Sequence, residues 1–293
     1  MESLGWRTVV INNHAKLSLY NGNLKITGEE RTDTVPLSQI RILMINTGEA
    51  TVTSRLMSEL SARSIKTIFC DESHLPSCEV CSYNCNVNSA GKHYAQIAWS
   101  EDTKSEVWAK IVKAKIFSQY NVLKINHVKN SEVLREIASS VNPENAVIQE
   151  ALAARLYFAM LFGENFNRRT SSVTNAALNY GYSILLSSVS RAITLHGYLT
   201  SIGINHCSKK NPYNLSCDIM EPFRPYIDNY IYRTPPHELS WDYKQELINI
   251  NLSTVIYNNR KMELQTALDM YVNDVLTELT ESTSRIGRLD FYE

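Results

Sequence analysis

Three acids and one histidine in the C-terminal half of the chain, Glu150, Asp218, Glu221 and His206, are of the residue types that hold a divalent metal. Carboxylates neutralise the charge of a hard cation, and a neutral imidazole is a borderline ligand that suits Mn²⁺ as well as Mg²⁺. A site with few protein ligands leaves positions open for phosphate oxygens. Glu150 is followed by Ala153, Ala154 and Tyr157 on one helical face, and the two alanines leave room for another element to approach. Asp218 and Glu221 lie one helical turn apart and share a face if Ser216 caps a helix there. Pro222 disfavours helical geometry at Glu221, which predicts a kink or a late helix start. His206 follows Gly203-Ile204-Asn205 at a helix end. The same spacing also fits acids that only form structural salt bridges with Arg155 and Arg224.

Helices must position these groups. Asn142-Pro143-Glu144 reads as a helix start, with Asn at the N-cap, Pro at the first helical position and an acid in the first turn; Gly163 reads as the C-cap. The pattern predicts further helices over 104–124, 176–199, 216–232 and 261–281. The first 70 residues are different. Leu17 and Leu19 alternate with Lys16, Ser18 and Tyr20, Asn21-Gly22-Asn23 reads as a tight hairpin turn, and Val35–Leu37, Ile40–Ile45 and Ile65–Cys70 read as strands. Thr51 or Thr53 caps one short helix with Val52, Leu56, Met57 and Leu60 as its buried stripe. The expected class is α+β: an N-terminal β-domain over 1–70 with one helix, a polar linker over 71–92, and an all-α domain over 93–293.

With 44% hydrophobic and 20% charged residues, the 293-residue chain is not a disordered one. The longest apolar stretch, 146–163, is interrupted by Glu150 and Arg155, and a membrane span wants about 20 mostly apolar residues. The start, Met1-Glu2-Ser3-Leu4-Gly5-Trp6, lacks the basic flank and apolar core of a signal peptide, so a cytosolic protein with reduced cysteines is expected. A net charge of −1 excludes a bulk basic protein but not a local basic face.

Seven short segments together resemble type II CRISPR-associated integrases, the catalytic subunit of the spacer-acquisition complex. They are Gly5-Trp6-Arg7-Thr8-Val9-Val10, Ile68-Phe69-Cys70-Asp71-Glu72 with Gln96-Ile97-Ala98-Trp99-Ser100, Glu150-Ala151-Leu152-Ala153-Ala154-Arg155-Leu156-Tyr157-Phe158, Leu178-Asn179-Tyr180-Gly181-Tyr182, and Gly203-Ile204-Asn205-His206 with Asp218-Ile219-Met220-Glu221-Pro222-Phe223-Arg224-Pro225. The resemblance covers nearly the whole chain, in order. It implies a metal site of Glu150, His206 and Glu221 for Mg²⁺ or Mn²⁺, with Asp218 beside it; many members carry Asp where this chain has Glu221. It also implies attack of a DNA 3′-hydroxyl on the edge of a CRISPR repeat. The implied partners are double-stranded DNA, a second copy of the chain, a small ferredoxin-like CRISPR-associated subunit and other type II adaptation proteins, in the prokaryotic cytoplasm.

Residues 150–233 hold 8 Lys/Arg against 5 acids, and setting aside the three acids of the metal site leaves Glu164 and Asp228. Arg155, Arg168, Arg169, Arg191, Lys209, Lys210 and Arg224 are therefore expected to form a phosphate track. Half of the 16 tyrosines lie in the same stretch. Some could stack on splayed bases, while Tyr157, Tyr180 and Tyr182 are expected to be core with hydroxyls bonded locally. Trp99 and Trp108 read as core anchors and His196 as a core histidine. Cys78, Cys81 and Cys85 raise a zinc-stabilised module, with His74 or His93 as the fourth ligand, but free thiols in a linker are expected instead.

Overall fold

The structure is a computed structural model that describes residues 7–72, 76–80, 89–281 and 283–291. The chain divides into two compact units, Met1–Ser89 and Ala90–Glu293.

The first unit contains β1 (Arg7–Ile11), β2 (Lys16–Tyr20), β3 (Asn23–Thr27), β4 (Thr32–Pro36), β5 (Ile40–Ile45), β6 (Thr51–Val52), α1 (Ser54–Ala62), β7 (Lys66–Cys70) and β8 (Pro76–Val80). Two four-stranded sheets form, in the orders β1-β5-β7-β8 and β4-β3-β2-β6. All six residues of β5 are buried, Arg41 among them, as suits a mostly apolar central strand flanked by parallel neighbours. Asn21 and Gly22 turn β2 into β3 at φ 47° and 74°, the positive angles of the expected hairpin. The Thr53 hydroxyl accepts the Leu56 N–H at 3.4 Å and caps α1, which buries Leu56 and Leu60. Leu17, Leu24, Leu43, Leu56 and Leu60 join one core shared by both sheets and the helix.

Part of the stretch read as linker is strand. β8 pairs antiparallel with β7, and the buried Lys66 ammonium is paired with Glu79. Its polar sequence hides it because it is an edge strand, where Pro at the first position costs no ladder bond. Cys78 lies on it as an exposed free thiol. Cys81, Cys85 and His74, like Gly5 and Trp6, lie outside the described residues.

The second unit runs α2 (Ser89–Ile97, starting at the boundary), α3 (Glu101–Ile125), α4 (Glu132–Ser140), α5 (Ala146–Phe162), α6 (Val173–Leu195), α7 (Asn214–Met220), a 3-10 turn (Glu221–Phe223), α8 (Arg224–Arg233), α9 (Trp241–Asn249), β9 (Thr254–Tyr257), β10 (Arg260–Glu263), α10 (Leu264–Glu281) and β11 (Leu289–Phe291). The unit is helical but not all-α: β10-β9-β11 is a small antiparallel sheet. Asn258 and Asn259 make its two-residue hairpin at φ 50° and 59°. A paired Asn turn between apolar alternation is a hairpin signal, and the strong helical period of 264–281 masked it. Glu278 on α10 takes the Lys110 ammonium and the N–H groups of Arg285 and Ile286, tying the segment before β11 back to the bundle.

The helix expected to begin at Asn142 begins three residues after Pro143. The Asn142 side chain accepts from the N–H groups of Glu144 and Asn145, closing a separate turn before α5. Gly163 ends α5 at φ 98°. The single helix expected over 216–232 is α7, a 3-10 turn and α8; Ser216 is buried inside α7 and bonded to Ser190 rather than capping it. Trp99, Trp108, Tyr157, Tyr180 and Tyr182 are all buried, as expected. His196 flanks the end of α6, and burial lowers its pKa. No helix among the described residues is long and apolar enough to cross a membrane.

Candidate metal centre

Three elements remote in sequence meet at two carboxylates. α3 packs against both α5 and the 3-10 turn. Ala153, on the same face of α5 as Glu150, is fully buried. Glu150 projects from the second turn of α5. Glu221 opens the 3-10 turn with φ −52° and ψ −44°; a shift from α to 3-10 winding accommodates Pro222 where a kink was expected. The Lys115 ammonium of α3 lies 2.6 Å from Glu150 Oε1 and 2.5 Å from Glu221 Oε2. The second Glu221 oxygen, Oε1, takes Arg224 Nη2 at 3.1 Å. Arg224 in turn lies over the Tyr182 ring, 4.8 Å from its centroid.

Glu221 is nearly inaccessible, and burial alone would raise its pKa. Arg224 and Lys115 outweigh that and hold the carboxyl below the usual range. Lys115 answers in kind: burial opposes its charge, but Glu221 and Glu150 raise its pKa.

His206 reaches the same region from a loop that Asp218 organises. Asp218, fully buried on α7, accepts the N–H groups of Ile204 at 2.6 Å, Asn205 at 3.1 Å and His206 at 3.1 Å. Its Oδ1 also lies 2.6 Å from His206 Nδ1. Holding Nδ1 this way fixes the ring and leaves Nε2 for a ligand, the usual arrangement behind a metal-binding histidine. The hydrogen bond to Asp218 raises the His206 pKa, burial opposes it, and the nearby Glu221 and Glu150 charges add to the rise. The loop has no room for a side chain at Gly203, where a Cβ would fall 2.3 Å from the His206 carbonyl oxygen and 2.7 Å from Asp218 Oδ2. Asn214 anchors its flanks by donating to the carbonyls of Ser201 and Ser208. The buried Gln96 amide donates to the carbonyls of Leu199 and Ile202 and accepts the Leu199 N–H.

The expected phosphate track is divided. Arg155, Arg169, Lys209 and Lys210 are exposed. Arg191 is 3% exposed inside α6 and does not present to solvent. Arg168 donates to Asn175 and Asn179 and lies over Tyr182, and Arg224 is bound to Glu221. A count of charges cannot separate a solvated arginine from one inside a hydrogen-bond network. Asp228, counted among the acids that remain in the stretch, is buried and takes the Tyr182 hydroxyl at 2.5 Å. Lys115 was missed altogether. Its signal is positional: it lies one turn after the buried Ile111 and Val112 and one turn before the buried Gln119.

The family described as CRISPR associated protein Cas1 matches residues 8–237. This chain belongs to the Cas1 family. Among its relatives, the CRISPR-associated endonuclease Cas1 of Neisseria meningitidis serogroup C is 32% identical over 286 residues, covering 96% of this chain and 94% of that protein. Among solved structures, a casposase bound to an integration product superposes at TM-score 0.77 with 16% identity, covering 96% of this chain and 92% of the other. A chain of a Cas6-RT-Cas1–Cas2 complex matches at TM-score 0.74 and 18% identity, covering 98% of this chain and 36% of that one. The chain shares with both solved structures a fold with a β-rich N-terminal region and a helical C-terminal region.

Among the described residues no three His, Cys, Asp or Glu side chains close on one point. Two do, Glu150 and Glu221, and they close on a cation, the Lys115 ammonium. Two hard oxygen donors already spaced for a cation, with an oriented imidazole nearby, fit Mg²⁺ or Mn²⁺ chemically.

Proposed function

We propose that this chain is the metal-dependent integrase and endonuclease of CRISPR adaptation, joining the 3′-hydroxyl ends of a short foreign duplex to the edge of a CRISPR repeat. Family membership, a relative named an endonuclease and a fold shared with a casposase bound to its integration product support this reading. The observation that carries it is the convergence of Glu150 and Glu221, from separate elements, on one cation beside an oriented histidine.

Glu150, Glu221 and His206 would hold Mg²⁺ or Mn²⁺. When bound, the ion polarises the phosphodiester and favours ionisation of the attacking hydroxyl. Transesterification forms one P–O bond and breaks one, releasing a 3′-hydroxyl from the repeat strand. Asp218 fixes the imidazole through Nδ1, and Arg224 fixes Glu221 through Oε1. Arg155, Arg169, Lys209 and Lys210 meet backbone phosphates, with Arg168 and Arg224 supporting from within. The resemblance to the integrases implies a second copy of the chain in the working assembly. That assembly also contains a small ferredoxin-like CRISPR-associated subunit, a reading supported by the fold match to a chain from a complex of Cas1 with Cas2.

One observation favours a second reading, a non-catalytic DNA-binding scaffold: Lys115 and Arg224 together satisfy the acids as ion pairs. The test is strand transfer. The protein and its small partner are incubated with a 3′-hydroxyl duplex and a repeat-bearing plasmid, with and without Mn²⁺. Joined product only with Mn²⁺ is expected. DNA binding without joined product under either condition would leave the scaffold.

A further inference from the structure

Lys115 stands where the proposed ion would have to bind. Its ammonium touches one oxygen of each carboxylate, and the residue is 9% exposed on a helix whose neighbouring positions are core. A metal taking the same oxygens cannot share them with an ammonium, because two cations would face each other in a poorly solvated place. The charges are also already balanced. Glu150 and Glu221 supply two negative charges, while Lys115 and Arg224 supply two positive ones. A divalent ion added to that set leaves an excess of two positive charges. Among the groups that bring anionic oxygens to such a place, the proposed substrate itself, a phosphodiester, is the one the reaction supplies. Of the four side chains in that set, Arg224 is the most open at 32% and Glu150 next at 20%, against 11% for Lys115 and 4% for Glu221, so an approaching anion meets the edge that Arg224 and Glu150 share.

We propose that Lys115 is a resident counter-cation that competes with the divalent ion for Glu150 and Glu221, and that a DNA phosphate relieves the competition by giving the displaced ammonium a new partner. Lys115 is thus a positioning residue that couples metal binding to DNA binding. The free protein holds the metal weakly, and the two ligands strengthen each other by one common factor, as linkage requires. The inference rests on the metal-site reading above.

The experiment reads Mn²⁺ binding directly, by the electron paramagnetic resonance of free Mn²⁺, with and without a branched DNA duplex. It uses the full-length wild type, Lys115→Met, Lys115→Arg and Glu150→Gln, with melting temperatures on the same samples. In the absence of DNA, Lys115→Met should bind Mn²⁺ at least about tenfold more tightly than wild type. DNA should tighten Mn²⁺ binding in wild type and in Lys115→Arg, and much less in Lys115→Met. Without metal, Lys115→Met should melt lower than wild type, since two carboxylates lose a partner, and Mn²⁺ should restore it by more than it raises wild type. Unchanged or weaker Mn²⁺ binding by Lys115→Met, while Glu150→Gln loses the ion, overturns the competition and leaves the metal site standing. Wild-type Mn²⁺ binding by Glu150→Gln removes the metal site and the inference with it. A Lys115→Met chain that stays unfolded even in Mn²⁺ also overturns the competition, because an ion able to replace the ammonium should restore the fold.

Discussion

Glu221 and Asp228 are both buried acids, separated by two helical turns, and the protein treats them in opposite ways. Glu221 has two cations against it and keeps its charge, with its pKa lowered. Asp228 has the Tyr182 hydroxyl against it. Burial pushes its pKa up to about 6, and the hydrogen bond from Tyr182 only limits the rise. Burial penalises a carboxylate in both places, and the partner decides whether the charge survives. Glu221 is therefore suited to hold a cation. Asp228 is a structural acid whose proton is available near neutrality. Exposure does not distinguish the two, and neither does residue type.

The comparison breaks most visibly in activity. Glu150→Ala, His206→Ala and Glu221→Ala are each expected to lower strand transfer by at least about a hundredfold, since metal activation supplies several kcal/mol to phosphoryl transfer. Without metal, binding of the same DNA should persist, and should tighten in the two glutamate variants because an acid is removed from the path of an anion, while the gain in DNA affinity that Mn²⁺ gives wild type should be lost. Electrophoretic binding and strand transfer on one preparation check both halves. Full joining by a folded Glu221→Ala protein would place Glu221 with Asp228 as a structural acid.

The second break is in stability against pH. The folded pKa of Asp228 lies above its ordinary value of 3.8, so the folded chain binds that proton more tightly than the unfolded chain. The group's contribution is therefore greatest at low pH and is lost as pH rises through about 6. Relative to Asp228→Asn, wild type should lose stability between pH 4 and pH 7, by about 3 kcal/mol for a shift of about two units. Glu221 runs the other way, stabilising above its unfolded pKa, but it is present in both proteins and cancels in the difference. Denaturant midpoints of the two proteins at pH 4.5 and 7.5 measure this, and a constant difference would show that Asp228 is ionised throughout.

Asp218 sharpens the same contrast. It is as buried as Asp228 but accepts only N–H groups, three from the backbone and one from His206. Asp218→Ala would strand three amide donors, each costing about 1–3 kcal/mol, so stability and activity should fall together. Asp218→Asn keeps one acceptor oxygen and is the cleaner variant. It should reduce Mn²⁺ affinity or joining about 10- to 100-fold, with a smaller loss of melting temperature. A Mn²⁺ titration equal to wild type would show that imidazole orientation does not depend on the Asp218 charge.

Much of this was readable from residue types. The Asn-Gly hairpin, the Thr53 cap, the Gly163 stop and the long helices follow from local rules that act within a few residues, and Glu150, Asp218, Glu221 and His206 were found as chemistry-bearing types. What could not be read depends on partners distant in sequence. Lys115 lies 35 positions before Glu150 and contacts it only because α3 crosses α5. Arg191 looks like any other arginine until α6 is seen to be buried around it. The β9–β10 hairpin had a local signal in Asn258-Asn259, but the helical period beginning at Leu264 was stronger. β8 is an edge strand with polar side chains, and only its pairing with β7 reveals it.

The smallest expected effect separates two neighbouring arginines. Arg169 is exposed, whereas Arg168 donates to Asn175 at 2.5 Å and Asn179 at 2.7 Å and lies over the rings of Tyr182 and Phe158. Each phosphate contact releases counterions and contributes about 0.9 to the slope of log affinity against log salt. Arg169→Ala should therefore lower the slope by about one and weaken all sequences alike, with no change in melting temperature. Arg168→Ala should do the reverse, destabilising by about 1–2 kcal/mol through the lost hydrogen bonds while leaving the slope nearly intact. Fluorescence anisotropy across a salt series, with melting curves on the same samples, reads both. Equal slope changes in the two variants would mean that Arg168 leaves Asn175 and Asn179 to meet DNA, and the division of the track into exposed and internal cations would then fail at this position.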